Sequence, residues 1–139
     1  MITAVDTNVL RDFFTADPTF SDVSTAALRM ALQEGQLVSC DIVWAESCAA
    51  FPSSESATDA MRRLGVVFSP VDAETAGAAG DAWRSYRRHG GKRDRLLADF
   101  LIGAHAMRRA DRLLTRDRAF YRTYFKRLSV LDPTSSRHR

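Results

Sequence analysis

The stretch Ile2-Thr3-Ala4-Val5-Asp6-Thr7-Asn8-Val9-Leu10 decides how the chain is read. Residues 2–5 are short, rich in β-formers and free of strong polar alternation, the pattern of a strand buried on both faces. Asp6 follows at once, and from residue 8 to 14 the period becomes helical until Asp17-Pro18 breaks it. A buried strand that ends on a carboxylate and turns straight into a helix is the opening of a parallel α/β sheet.

The remainder repeats the alternation. Ser21 is placed to cap a helix reaching residue 34, with Gly35 where a C-terminal cap belongs. Residues 37–40 form a second expected strand. A helix over 42–50 ends before Pro52, and Ser53 and Ser54 cap another that Gly65 closes. A third strand at 66–68 precedes a longer helix over 72–88, which stops at Gly90-Gly91. The basic loop Lys92-Arg93-Asp94-Arg95 leads into a helix over 96–109, a fourth strand at 112–115, a short helix at 118–124 and a possible fifth strand at 129–131. Strands separated by helical crossovers cannot pair as hairpins, so the expected fold is α/β: a three-layer α/β/α sandwich on a mainly parallel sheet of four to five strands. One domain over residues 1–132 is expected, followed by a disordered tail over 133–139.

At 139 residues the chain is long enough for a core without staples, and its 45% apolar and 27% charged residues place it among ordinary globular proteins. Cys40 and Cys48 stand without a CxxC or histidine partners at zinc spacing, which points to two buried thiols. No apolar run approaches a membrane span and residues 1–8 do not resemble a signal peptide, so a cytoplasmic location is expected. The net charge of +3 conceals an asymmetry. Residues 1–83 hold four basic and twelve acidic side chains, whereas residues 84–139 hold sixteen and five. The basic half is a candidate face for a polyanion, although solvated helix faces give the same signal.

In open α/β sheets ligands bind beyond the carboxyl ends of the strands. Asp6 and Asp117 follow two of the expected strands, Glu46 lies on the helix leaving the second, and Asp99 lies in the first turn of a helix that starts at the same edge. Each has a bland alternative: Asp6 as a helix cap, Glu46 as a solvated helix residue, Asp117 as a turn residue. Asp99 is harder to dismiss, since it interrupts Leu96-Leu97-Ala98 and Phe100-Leu101-Ile102. Gathered carboxylates repel by about 4 kcal/mol per pair at about 4 Å and an effective dielectric of about 20, so they call for a cation. An all-oxygen set suits Mg²⁺ or Mn²⁺, and such an ion with substrate phosphate oxygens suits phosphodiester hydrolysis.

Val5-Asp6-Thr7-Asn8-Val9-Leu10, Trp44-Ala45-Glu46, Asp99-Phe100-Leu101-Ile102-Gly103-Ala104-His105-Ala106 and Leu113-Leu114-Thr115-Arg116-Asp117-Arg118-Ala119-Phe120 together resemble the four acidic motifs of PIN domains, most closely those of VapC-type toxins of toxin–antitoxin modules. The resemblance implies a Mg²⁺- or Mn²⁺-dependent endoribonuclease acting on structured RNA such as transfer or ribosomal RNA, a homodimer, and inhibition by a cognate antitoxin. It makes Asp6, Glu46, Asp99 and Asp117 the metal ligands, with Thr7 and Thr115 supporting the metal water or the neighbouring carboxylates. Some relatives carry a further acidic residue two positions after the last aspartate; here that position is Ala119, which bears on a second metal.

Arg87, Arg88, Lys92, Arg93, Arg95, Arg116 and Arg118 are the expected RNA contacts, because several flank the acidic motifs. Asp41 is expected to cap a helix, Asp94 to pair within its basic loop, and His89, His105 and His138 to be structural. An aspartyl-phosphate enzyme would want an acid two residues after Asp6, where Asn8 stands. The rival reading is a non-catalytic RNA-binding or protein-interaction module, which the basic half would serve equally well.

Overall fold

The computed structural model describes residues 1–92 and 96–135. Its elements run β1 (Ile2–Val5), α1 (Thr7–Phe14), α2 (Ser21–Glu34), β2 (Gln36–Ser39), α3 (Asp41–Cys48), α4 (Ser54–Leu64), β3 (Val66–Phe68), α5 (Ala73–Arg88), α6 (Leu97–Arg109), β4 (Arg112–Leu114), α7 (Arg118–Tyr124) and β5 (Val130–Leu131). The five strands form one sheet in the order β3-β2-β1-β4-β5, with every pair parallel. The expected α/β architecture is present.

β1 is central because it has nothing exposed to offer an edge: Thr3, Ala4 and Val5 are all buried. It pairs Ala4 with Val38 on one side and with Leu113 on the other. The chain builds β2 and β3 outward from one side of β1, then returns to place β4 and β5 on the other. Between β1 and β4 the order reverses, the place where open α/β sheets form a crevice at the carboxyl ends of their strands.

α6 is the most deeply buried helix of the site's surroundings, with Phe100, Ile102, Gly103, Ala104, His105 and Ala106 inside. Gly103 is required by its close neighbour: a Cβ there would stand 2.4 Å from the Phe125 ring. Phe100 also packs edge-on against Phe120, with ring centres 5.3 Å apart, so aromatic residues of α7 and its C-terminal cap are held against α6. His105 is buried, its Nε2 2.9 Å from Ser69 Oγ, and burial lowers its pKa; its place is structural.

Three local expectations are corrected. Ser21 is the first residue of α2 rather than its cap, because the Asp17 carboxylate takes the amides of Thr19 (2.8 Å) and Phe20 (2.9 Å) and starts the turn earlier. Asp41 is inside α3, capped by Cys40, and its carboxylate instead accepts from the Val71 amide at 3.3 Å. Cys40 is buried, but Cys48 at the end of α3 is only partly so. Of the tail, residues 133–135 fold back as a turn in which the Asp132 carboxylate accepts from the Thr134 amide (2.9 Å) and hydroxyl (2.7 Å). Residues 136–139, including His138, lie outside the described residues. Among the described residues no helix is long and apolar enough to cross a membrane.

Candidate metal centre

Asp6 leaves β1 at the mouth of the crevice, and its amide extends the sheet by donating to Leu114 O at 2.9 Å. It is also the cap of α1, its Oδ1 taking the Thr7 amide at 2.7 Å. Oδ2 accepts from the Thr115 hydroxyl at 2.8 Å, immediately after β4, and from Asn8 Nδ2 at 3.4 Å. Asp6 therefore caps α1 with one carboxylate oxygen and reaches the loop after β4 with the other.

Thr115 joins two motifs. Its hydroxyl donates to Asp6 and accepts from the Asp117 amide at 3.0 Å and from Asn8 Nδ2 at 3.3 Å, which uses all the hydrogen-bonding capacity a hydroxyl has. Glu46 projects from α3, exposed, and its Oε1 accepts from Thr7 Oγ1 at 2.7 Å. Asp99 stands in the first turn of α6, half-buried, its Oδ2 3.3 Å from the Leu96 amide that donates to it. Asp117 is half-buried and occupies the position just before α7, without a side-chain capping hydrogen bond to that helix.

Burial raises the Asp6 carboxyl from 3.8 to about 6; the hydrogen bonds from Thr115 and Thr7 pull it down, and the charges of Asp99 and Glu46 push it up further. These three acids thus share one electrostatic environment. Tyr121 registers the fourth: its buried hydroxyl is raised well above the usual phenol value by burial first and then by Asp6, Asp99 and Asp117. Neither Asp6 nor Glu46 has a cationic partner among the described residues.

Among the described residues no three His, Cys, Asp or Glu side chains stand together so that they could hold a metal ion. A hard cation does not need three: Mg²⁺ keeps several waters and takes one or two carboxylates. The donor set is all oxygen, it contains a buried carboxylate whose charge is disfavoured as it stands, and Mg²⁺ or Mn²⁺ fits it.

Sequence reasoning misses Asn8 and Asp12. Asn8 Oδ1 accepts from the Arg116 amide at 3.2 Å while Nδ2 reaches Asp6 and Thr115, so one side chain bridges the loops after β1 and β4. Its signal lies in the Asp-Thr-Asn turn, which in sequence serves only to exclude another chemistry. Asp12 is buried at 2% exposure on the inward face of α1 and receives Arg116 Nε at 2.7 Å, a second guanidinium nitrogen at 3.1 Å and the Ser24 hydroxyl at 2.7 Å.

That pairing also places Arg116: its guanidinium is engaged by Asp12 and lies over the Phe20 ring, 3.9 Å from the centroid, with the side chain 26% exposed. Arg88 and Lys92 are exposed, as is Arg87, which rests over Trp83 at 5.1 Å. Arg118 is exposed with its Nε 4.0 Å from Asp132. Arg93, Asp94 and Arg95 lie outside the described residues.

Several solved structures share this architecture. VapBC2 from Rickettsia felis, bound to a DNA fragment from its promoter, superimposes with a TM-score of 0.73 at 17% identity, over 95% of this chain and 98% of that one. VapBC-1 from nontypeable Haemophilus influenzae gives 0.73 at 21% identity, over 97% and 100%. Mycobacterium tuberculosis VapC20, a Sarcin-Ricin loop cleaving toxin, gives 0.57 at 17% identity, over 80% and 86%. At such identities the likeness is one of fold. No curated protein matches the sequence. The family model of the PIN domain matches residues 3–126, a span that contains all four acidic segments and the whole crevice between β1 and β4, and the chain belongs to the PIN domain family.

Proposed function

We propose that this chain is a Mg²⁺- or Mn²⁺-dependent endoribonuclease that hydrolyses phosphodiester bonds in structured RNA, and that it is the toxin of a toxin–antitoxin pair. The observation that carries the reading is Asp6: a buried carboxylate at the topological switch point, raised to about 6, with Asp99 and Glu46 in its field and no cationic partner among the described residues. A divalent cation would convert that unfavourable arrangement into a binding site. Asp6, Glu46, Asp99 and Asp117 would hold it, and when bound it supplies activation of a water and stabilisation of the charge that develops on the phosphoryl group.

The chain's own residues then have separable tasks. Thr115 and Thr7 fix the rotamers of Asp6 and Glu46 by donating to them, which leaves the remaining carboxylate lone pairs free to ligate. Asn8 holds the loop after β4 against the loop after β1, so that Asp117 and Asp6 keep their spacing. Arg87, Arg88, Lys92 and Arg118, with Arg93 and Arg95, provide phosphate contacts along the substrate; Arg116 is left out of this group because Asp12 engages it.

The toxin assignment rests on the kind of protein that shares the fold: two of the structures above are toxin–antitoxin complexes and one is a toxin that cleaves the Sarcin-Ricin loop. A cognate antitoxin, a homodimer and a cytoplasmic location follow from that reading, as does a nuclease unit over residues 1–132. Incubation of total RNA with purified protein and Mn²⁺ tests it. Discrete fragments that vanish with EDTA are expected. RNA that stays bound and intact in both conditions would instead mark a binding module.

A further inference from the structure

Tyr121 has no place in the motifs and none in the mechanism just given, yet its surroundings are those of the site. It lies four residues after Asp117 on α7, its amide directed at Asp117 O at 3.5 Å, so both residues occupy the same face of the first turn. The ring is fixed by Phe120, 4.9 Å away and near-perpendicular, and by Phe125 at 6.1 Å. The residue is 1% exposed, and its hydroxyl makes no hydrogen bond of regular geometry among the described residues, although the Asp6 carboxylate lies within its reach. A buried hydroxyl without a well-formed bond is disfavoured and needs a reason. The reason here is directional: the groups whose charges act on the phenol are Asp6, Asp99 and Asp117.

We propose that Tyr121 is a positioning residue of the metal centre, its hydroxyl donating to the ligands and waters around a divalent cation held by Asp6, Asp99 and Asp117. This rests on the metal-dependent reading above. A phenol is suited to the task because it donates one hydrogen bond without adding charge. Ala119, two residues after Asp117, brings no carboxylate to this side, so the hydroxyl is a polar group that α7 contributes where an acid is absent. Donors that orient metal ligands from behind are worth roughly tenfold to a hundredfold in metal affinity.

The test is Mn²⁺ affinity by calorimetry for wild type, Tyr121→Phe and Tyr124→Phe, with the melting temperature of each in EDTA. Tyr124 is 41% exposed on the same helix and serves as the control. Affinity at least about tenfold weaker in Tyr121→Phe, with metal-free melting no lower than wild type and Tyr124→Phe unchanged, is the expected result. Wild-type affinity in Tyr121→Phe would overturn the assignment while leaving the metal centre intact. No Mn²⁺ binding by wild type would overturn the metal reading itself. Should Tyr121→Phe fail to fold, fluorotyrosine labelling of the unsubstituted protein decides: the Tyr121 fluorine resonance shifts on adding Mg²⁺ if the proposal holds, and one that stays fixed while Mg²⁺ binds refutes it.

Discussion

Replacing Asp6 by Asn should make the metal-free protein more stable at neutral pH while abolishing the proposed RNA cleavage. The folded-state carboxyl is raised from 3.8 to about 6, chiefly by burial. Between about pH 4 and 6 the folded protein therefore holds a proton that the unfolded chain has released, and stability falls as pH rises through that window. Above it the full difference applies, about 3 kcal/mol. The amide of the Asp6→Asn variant carries no charge at any pH, and its oxygen could still accept the Thr7 amide. Some of the gain is offset by the weaker bond to Thr115, leaving a net advantage of about 1–3 kcal/mol. Urea denaturation in EDTA at about pH 4.5 and about pH 7.5 reads it. The variant should gain on wild type as the pH is raised, and excess Mn²⁺ should stabilise wild type only. A difference between the two proteins that does not change with pH would refute the argument, because it would mean that Asp6 is not held against its own ionisation.

Arg116→Ala leaves Asp12 buried without its partner and should cost about 3–5 kcal/mol in denaturation, with most of the loss recovered by adding Asp12→Asn in a double-mutant cycle. Combined Arg87→Ala and Arg88→Ala should weaken RNA binding and lower its salt slope by about one for each phosphate no longer neutralised; an unchanged slope would remove both residues from the interface. Gly103→Ala forces a methyl group against the Phe125 ring 2.4 Å away and should destabilise by about 1–3 kcal/mol, seen as a lowered melting temperature.

The order of strands and helices is legible because the period of the apolar residues changes from strand to helix at each boundary, and because Gly35, Gly65 and Pro52 punctuate it. Ends are harder to read. Ser21 looks like a cap in sequence, but Phe20 holds the cap position after a turn that the Asp17 carboxylate closes, and only the path of that turn decides it. The acidic residues can be placed at one sheet edge from topology alone. The hydrogen bonds that orient them cannot, since Asn8 to Thr115 and Arg116 to Asp12 each span more than a hundred residues in sequence. Tyr121 is hidden for another reason: within Phe120-Tyr121-Arg122-Thr123-Tyr124-Phe125 it reads as one aromatic of a core stripe, and nothing in the pattern distinguishes a tyrosine chosen for its ring from one whose hydroxyl matters.

The central claim is that the carboxylates at the crevice between β1 and β4 form one metal-dependent hydrolytic site. Its most direct test is cleavage of total RNA by wild type, Asp6→Asn and Asp99→Asn in Mg²⁺ or Mn²⁺ and in EDTA, with the chemistry of the product ends determined. Fragments that appear only with wild type and metal, and that end in a phosphomonoester and a free hydroxyl as attack by water requires, are predicted. Cleavage that persists in EDTA or in either variant, or that leaves 2′,3′-cyclic phosphates, would contradict it.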